Sequence, residues 1–382
     1  MAHATLFRQI TAVLLAIPLL MPMHIEAAAQ PPDTAAAAYV LMDAQTGLVI
    51  CGSHENQKLP MASTTKIMTT LLTLESGNLD DPFVVDAEAI RVEGSSMGLQ
   101  EGDVVTKRAL CVGMLLPSGN DAANASAVAV AGNIPNFLHL MNRRAAEIGM
   151  TRTCFASPSG LDAEGHGASA YDMALLARVA LQNPDFAEIC SQPSVELSFG
   201  NPPYVRTLYN TNKLLSMSED IIGVKTGFTD AAGRCLVSAC QRDDTTLICV
   251  TLNDKNDWAD HLALYDYGFS IAESYTVPLP SDLSIPVEGG EKTGVFIYAK
   301  EPLTLTAWNG KPATITADIL LPPFLTAPIA KGEMLGTLRY TAGNNIIIAE
   351  LPLYAADDVP ISSQAEPQPW WAALLDRLYG VA

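Results

Sequence analysis

The chain has 382 residues, 49% of them apolar and 16% charged, which is the composition of a folded protein of two or three domains and excludes a disordered chain. Its 41 Asp and Glu against 22 Lys and Arg give a net charge of −19, and no Lys/Arg run interrupts the acidity, which argues against a nucleic-acid binder. Gly (26) and Pro (25) are near ordinary usage, so collagen-like and linker-dominated readings fall away.

Residues 1–29 read as a secretory signal. His3 and Arg8 mark a short n-region, an apolar run covers 10–23, and Ala27-Ala28-Ala29 offers a cleavage site. The run is shorter than the ~20 residues that a membrane span needs, so cleavage is expected rather than retention as an anchor. The product should then work outside the cytoplasm. Residues 38–42 and 48–51 are apolar runs around Asp43-Ala-Gln-Thr-Gly47 and predict a hairpin. Ile67, Leu71 and Leu74 predict a helix over 63–76, ended by Gly77. The Ala- and Leu-rich stretch 107–150 reads as helical, and 171–181 as an amphipathic helix. Short apolar runs at 221–228, 234–240 and 246–252 predict an antiparallel meander, with a helix over 260–273 returning across it.

Residues 278–286 read as a linker. Beyond it, runs at 295–298, 303–307, 313–319, 335–340 and 345–352 predict a small all-β module. The expected fold class is therefore α+β: an antiparallel sheet with helices and a helical subdomain over 30–275, an all-β domain over 276–355, and a linker and amphipathic tail over 356–382. Seven cysteines (Cys51, Cys111, Cys154, Cys190, Cys235, Cys240, Cys249) include no C-x-x-C, and an odd number cannot all pair within one chain. They read as small buried hydrophobes, with one or two disulfides as the alternative. The six histidines are scattered and form no H-E-x-x-H, so no metal and no cofactor is expected.

Three short motifs lie before the linker: Ser63-Thr-Thr-Lys66, Ser118-Gly-Asn120 and Lys225-Thr-Gly227. Elements of this kind mark serine enzymes that react with β-lactams. Each alone is weak, and two of them occur twice, at Ser76–Asn78 and Lys292–Gly294. Ser76 lies ten residues along the same helix from Lys66, about 15 Å away and too far for proton transfer. Lys292 lies in the β module, which has no nucleophile, and reads as a charged turn. The first copies make chemical sense together. A serine hydroxyl needs a base, and a lysine three residues on along a helix shares its face. Lys66 can act only when neutral, and burial beside a second cation, Lys225, would lower its pKa. Ser118 can relay a proton to a leaving amine and Asn120 can bind a substrate amide. Lys225 and Thr226 can hold a carboxylate, and Gly227 can let a peptide backbone lie against a sheet edge. The set describes acyl transfer on a peptide ending in a carboxylate.

With these motifs come Gly94-Ser-Ser-Met97, Gly102-Asp103, Met141-Asn142, Gly160-Leu161, His166, Ala170-Tyr-Asp172, Asn210-Thr-Asn212, Phe228-Thr229 and Ala232-Gly233. Over residues 36–275 the chain resembles the D-alanyl-D-alanine carboxypeptidases, the low-molecular-weight penicillin-binding proteins. The resemblance implies a β-lactamase/transpeptidase-like domain with Ser63 as acylated nucleophile, Lys66 as base and Ser118 and Asn120 beside the cleft. It further implies Lys225 and Thr226 on the terminal carboxylate, and the N–H groups of Ser63 and Phe228 as an oxyanion hole. It implies peptidoglycan stem peptides ending in D-Ala-D-Ala as substrate, β-lactams as covalent inhibitors, and a place in the wall or on the outer face of the cell membrane. Many relatives carry an arginine before the L-I-x-V strand. Thr246 stands there, which predicts one cation fewer at the carboxylate unless Arg234 compensates. A serine β-lactamase using Glu164 is a rival reading, although Ala168 stands where its E-x-x-x-N asparagine belongs. An endopeptidase and a silent wall-binding or β-lactam-sensing module are the others.

If residues 370–382 are helical, Trp370, Trp371, Leu374, Leu375 and Leu378 share one face. Thirteen residues give about 20 Å of helix, short of the ~30 Å hydrocarbon core, so the tail should lie on a membrane and not span it. Asp376 offsets Arg377, so binding should gain little at low salt. The mature protein is expected to float with liposomes, and protein lacking 367–382 to remain behind; equal behaviour of the two forms removes the anchor.

Overall fold

Strands that are apolar along their whole length must be covered on both faces, and the first unit of the protein is organised by that requirement. The computed structural model describes residues 8–12, 29–280, 283–343 and 346–362, and the chain divides between Ala272 and Glu273 into two units. Strands of the first unit are β1 (Ala36–Asp43), β2 (Val49–Ser53), β3 (Ser194–Gly200), β4 (Pro203–Tyr209), β5 (Ile221–Thr229), β6 (Gly233–Arg242) and β7 (Thr245–Asp254). Five of them form one antiparallel sheet in the order β2-β1-β7-β6-β5, while β3 and β4 make a separate hairpin. The predicted hairpin and meander are both present, and β5 is left at the sheet edge.

Around the sheet lie helices α1 (Lys66–Glu75), α2 (Lys107–Leu115), α3 (Asn120–Ala131), α4 (Ile134–Ile148), α5 (Ala170–Leu181), α6 (Pro184–Ser191) and α7 (Asp257–Ser270). Ala38, Val40, Met42, Val237, Ile248 and Val250 face the core shared with α1 to α6. The opposite face carries Leu41 and Leu247 to α7, where Gly268 permits the approach; a Cβ there would lie 2.9 Å from Leu41 Cδ2 and 2.7 Å from Leu247 Cδ1. α7 begins three residues before the predicted helix and stops at Ser270, because strand Ala272–Thr276 takes the last residues. The predicted helical stretch 107–150 is three helices. Pro117-Ser118-Gly119 breaks it first; Gly132, at φ 77°, ends α3, and Asn133 caps α4 by accepting from the Asn136 N–H.

The second unit is all β, with β8 (Ser284–Glu288), β9 (Gly294–Ala299), β10 (Ile315–Leu321), β11 (Met334–Ala342) and β12 (Ile346–Ala355) in the order β10-β11-β12-β9-β8. Its core includes Ile285, Val295, Ile297, Leu338, Tyr340 and Leu353. The predicted linker 278–286 ends too late: alternation of Ile285 and Val287 inward with Ser284, Pro286 and Glu288 outward makes a strand despite the proline. The strand Arg8–Ala12 pairs antiparallel with β10; residues 1–7 and 13–28, and with them most of the signal reading, lie outside the described residues. So does the tail from 363 onward. Among the described residues no helix is long and apolar enough to cross a membrane. All seven cysteines are free thiols, so the disulfide alternative does not hold.

Candidate active site

The three motifs converge where α1, the α2–α3 turn and the edge strand β5 meet. Ser63 lies in a short 3-10 turn, Ala62–Thr65, and Lys66 is the first residue of α1. This differs from the α-helix start expected at Ser63, and it improves the geometry. With three residues per turn, positions i and i+3 eclipse, and Lys66 Nζ stands 2.9 Å from Ser63 Oγ.

Lys66 is fully buried and has three oxygen neighbours: Ser63 Oγ at 2.9 Å, Asn120 Oδ1 at 2.7 Å and the Ser159 carbonyl at 2.6 Å. The Asn120 orientation is fixed from its other end, where Nδ2 donates to the Glu93 carbonyl at 2.7 Å. Two of the three neighbours can only accept. A neutral amine has two N–H donors, which they consume, and one lone pair, which is left facing the Ser63 hydroxyl. Burial pushes the Lys66 pKa well below the usual lysine range, and the nearby Lys225 lowers it further, against a smaller opposing pull from Asp121.

Asn120 therefore has a different first duty from the one expected. Its amide holds Lys66 and a carbonyl of its own wall, with a single N–H left for any substrate. Its neighbour Asp121 holds that wall: the carboxylate accepts from Ser96 Oγ at 2.6 Å and from the N–H groups of Met97, Gly98 and Leu99 at 3.0, 3.1 and 3.0 Å. The Gly94–Met97 motif is thus tied to the first turn of α3. Ser118 is buried in the turn before α3 at φ 66°, a left-handed conformation between Pro117 and Gly119.

On β5, Lys225 is buried, and desolvation lowers its pKa to about 7. Its ammonium donates to the Thr226 carbonyl at 3.0 Å. Thr226 meets Thr211 of the Asn210-Thr-Asn212 motif, hydroxyl to hydroxyl at 2.7 Å. Phe228 is 63% exposed on the edge strand. Gly227 does not serve the role expected of it. A Cβ there would lie 3.0 Å from Ser63 N and 3.1 Å from Met61 O, so the missing side chain lets β5 approach the nucleophile turn, not a substrate approach β5.

Two residues without an assigned role in the sequence reading brace that turn. Gly160, at φ 87°, packs on the Ala62 carbonyl: a Cβ would sit 2.0 Å from that oxygen. His166 Nδ1 accepts from the Ala156 N–H at 3.0 Å, which leaves Nε2–H to donate to Thr65 Oγ1 at 2.9 Å, and Thr65 donates to the Ala62 carbonyl at 2.8 Å. Burial lowers the His166 pKa to about 4, in keeping with that neutral tautomer. Their motif positions gave the only signal; their contacts depend on the folded loop.

The predicted loss of a cation through Thr246 does not follow. Thr246 pairs with Gln241, whereas Lys225 pairs with Val237, which pairs with Val250. Thr246 is four residues along β7 from that level, about 13 Å, and two strands from the edge. Arg234, opposite Phe228 in register, forms an ion pair with Asp257 and lies over the Trp258 ring. Glu164 is exposed, and the group beside Lys66 from this loop is the Ser159 carbonyl, which can activate no water. Lys292, the alternative K-T-G lysine, is half-exposed in the second unit and lies 3.7 Å from Asp357.

Residues 25–256 match the family described as D-alanyl-D-alanine carboxypeptidase, and residues 276–360 match the penicillin-binding protein 5 C-terminal domain. The chain belongs to the D-alanyl-D-alanine carboxypeptidase family. It is 32% identical over 354 residues to D-alanyl-D-alanine carboxypeptidase DacC of Escherichia coli, covering 87% of this chain and 86% of that protein. It is 30% identical over 335 residues to DacF of Bacillus subtilis, covering 85% and 86%. Among solved structures, penicillin binding protein 5 from Haemophilus influenzae superposes with a TM-score of 0.64 at 29% identity, covering 87% of this chain and 99% of that one. The Streptomyces K15 DD-transpeptidase, at 29% identity and TM-score 0.60, covers 63% of this chain and 100% of its own.

Within this family member, Gly160→Ala is expected to cost about 2–4 kcal/mol through a side chain at positive φ and the overlap with Ala62. Acylation should fall further than stability explains, because the displaced atom adjoins Ser63. Thermal unfolding and penicillin acylation rates check this together; an unchanged rate would contradict the role given to this contact.

Proposed function

We propose that this protein removes the terminal D-alanine from peptidoglycan stem peptides ending in D-Ala-D-Ala, through an acyl-enzyme on Ser63. The observation that carries the reading is the filled donor set of Lys66, whose remaining lone pair faces the Ser63 hydroxyl. Ser63 Oγ attacks the carbonyl carbon of the penultimate residue as its proton passes to Lys66 Nζ. The N–H groups of Ser63 and Phe228 bind the developing oxyanion. The C–N bond then breaks, and the proton reaches the leaving amine through Lys66 and Ser118. Water hydrolyses the ester and restores Ser63. Lys225 and Thr226 hold the terminal carboxylate. A penicillin would follow the first half of this path, but its leaving amine stays tethered and the ester persists.

Export, expected from the signal-like pattern of residues 1–29, fits the same reading, since the polymer lies outside the cytoplasm. Peripheral membrane contact through Trp370, Trp371, Leu374, Leu375 and Leu378 is part of the proposal, on sequence pattern alone. A shared site leaves endopeptidase action distinguishable only by product. Mass spectrometry of a digested muropeptide should show loss of one alanine, and cutting between stems would identify the other activity.

Ser63→Ala should abolish covalent labelling by a fluorescent penicillin while circular dichroism stays native. Label persisting on that variant would place the nucleophile elsewhere. Lys225→Ala should cut kcat/KM on carboxylate-terminated peptides by at least tenfold, whereas Lys292→Ala should leave it unchanged; equal losses would contradict the choice of motif copy.

The pH dependence follows from the lowered pKa of Lys225. Its ammonium is present below about 7 and is lost above it, so in the free enzyme kcat/KM for such peptides should decline as pH rises through about 7. The bound carboxylate favours the charged form, so the limb in kcat should lie at higher pH. A flat kcat/KM profile from pH 7 to 9 would show that Lys225 does not carry the carboxylate.

A further inference from the structure

Arg206, on β4, is the feature of the first unit that folding alone explains least well. Its side chain is 12% exposed, and Asp103, at 3.8 Å, is 7% exposed. The guanidinium lies between two rings, 4.1 Å from the centres of both Phe199 and Tyr204. One nitrogen, Nη1, donates to the Met97 carbonyl at 3.4 Å and the Gly98 carbonyl at 2.5 Å. Nε and Nη2 are buried without a hydrogen-bond partner. A buried charge that satisfies so little of its donor capacity is a poor device for stability. What it does achieve is to fix two carbonyls of one loop.

That loop is the wall of the cleft. Asp121 grips the N–H side of Met97, Gly98 and Leu99, and Arg206 grips the C=O side of Met97 and Gly98. Gly98 is at φ 88°, and a Cβ there would lie 3.1 Å from Nη1. Upstream in the same loop, the Ser95 carbonyl accepts from Asn120 N and the Glu93 carbonyl from Asn120 Nδ2, both at 2.7 Å. Asn120 Oδ1 then bears on Lys66 Nζ. Arg206 thus reaches the base through a continuous series of hydrogen-bonded groups, from outside the three motifs.

We propose that Arg206 is a positioning residue for the acylation step: by clamping loop 93–99 against the β3–β4 hairpin it holds Asn120 on Lys66. This rests on Lys66 acting as the base. If the clamp is released, water reaches Lys66, its pKa rises toward the ordinary lysine value, and the population of neutral base at a given pH falls. A rise of one unit lowers the acylation rate about tenfold wherever Lys66 is mostly protonated. The loss shrinks as pH rises, since high pH neutralises the amine in both forms.

The test is the rate of acylation by a fluorescent penicillin from pH 5.5 to 9.5 for wild type, Arg206→Ala and Arg206→Lys, with thermal unfolding of each. Lys225 titrates within the range in all three, so the quantity to read is the variant-to-wild-type ratio. The expected ratio for Arg206→Ala is lowest at the acid end of the range and rises toward 1 at the alkaline end, reaching about 0.1 per unit of raised pKa wherever Lys66 is mostly protonated in both forms. Arg206→Lys, which keeps the charge and one donor, should recover part of the loss and serves if the alanine variant does not fold. In a cycle with Asn120→Ala, the Arg206 substitution should add little, because both act through one contact. A ratio independent of pH, or fully additive losses, would make Arg206 a structural staple and overturn the proposal. An unaltered rate would do the same. Absence of labelling in the wild type would instead defeat the acyl-enzyme reading itself, independently of Arg206.

Discussion

A lysine amine kept dry is the constraint on which the first unit depends. Hydration would raise the Lys66 pKa and, on the proposed mechanism, end its use as a base; besides the Ser63 hydroxyl, the fold supplies two oxygens in place of water. Each comes from a different part of the chain: Asn120 from the start of α3 and the Ser159 carbonyl from the loop before α5. Those loops have to be rigid for the amine to stay in place. Asp121, Gly160 and His166 are the means by which they are held, and none needs to touch a substrate.

Close approach of backbone segments is the second requirement. The Ser63 turn is pressed by β5 on one side and by the Gly160 loop on the other; at Gly160 only glycine fits, and at Gly227 a side chain would need the turn to yield by a few tenths of an ångström. The turn itself is stiffened by Thr65 and His166, whose hydrogen bonds end on the Ala62 carbonyl. The approach of β5 to the turn also explains why β5 is an edge strand. A central strand could not offer one side to the nucleophile turn and still leave its outer hydrogen-bonding groups to a peptide.

The departures between sequence and structure have local causes. Asn120 reads as a substrate ligand from its place in the motif; in the folded chain its amide bonds to the Glu93 carbonyl and Lys66. Gly227 reads as clearance for a ligand, but the direction of its absent side chain depends on strand pairing with β6. Thr246 reads as a lost cation because position in a strand motif suggests proximity to the cleft, while the register places it about 13 Å away along β7. Residues 194–199 of the β3–β4 hairpin alternate polar and apolar side chains, but that pattern marks a strand and not a role for Arg206, a single charge on β4.

Sequence alone determined the class of fold and the approximate elements, and it singled out Ser63, Lys66, Ser118, Asn120, Lys225 and Thr226 as a candidate set. It could do so because apolar periodicity is a local property and because an acyl-transfer site needs a small, fixed kit of side chains. Tertiary structure decided which copy of each repeated motif lies in the cleft, what Asn120 and Gly227 are for, and which residues outside the motifs hold the base. Those are questions of direction and separation between segments far apart in the chain, as Met97 and Arg206 are at 109 residues. Such distances are set by strand register and backbone contact, and no neighbouring residues in the chain encode them.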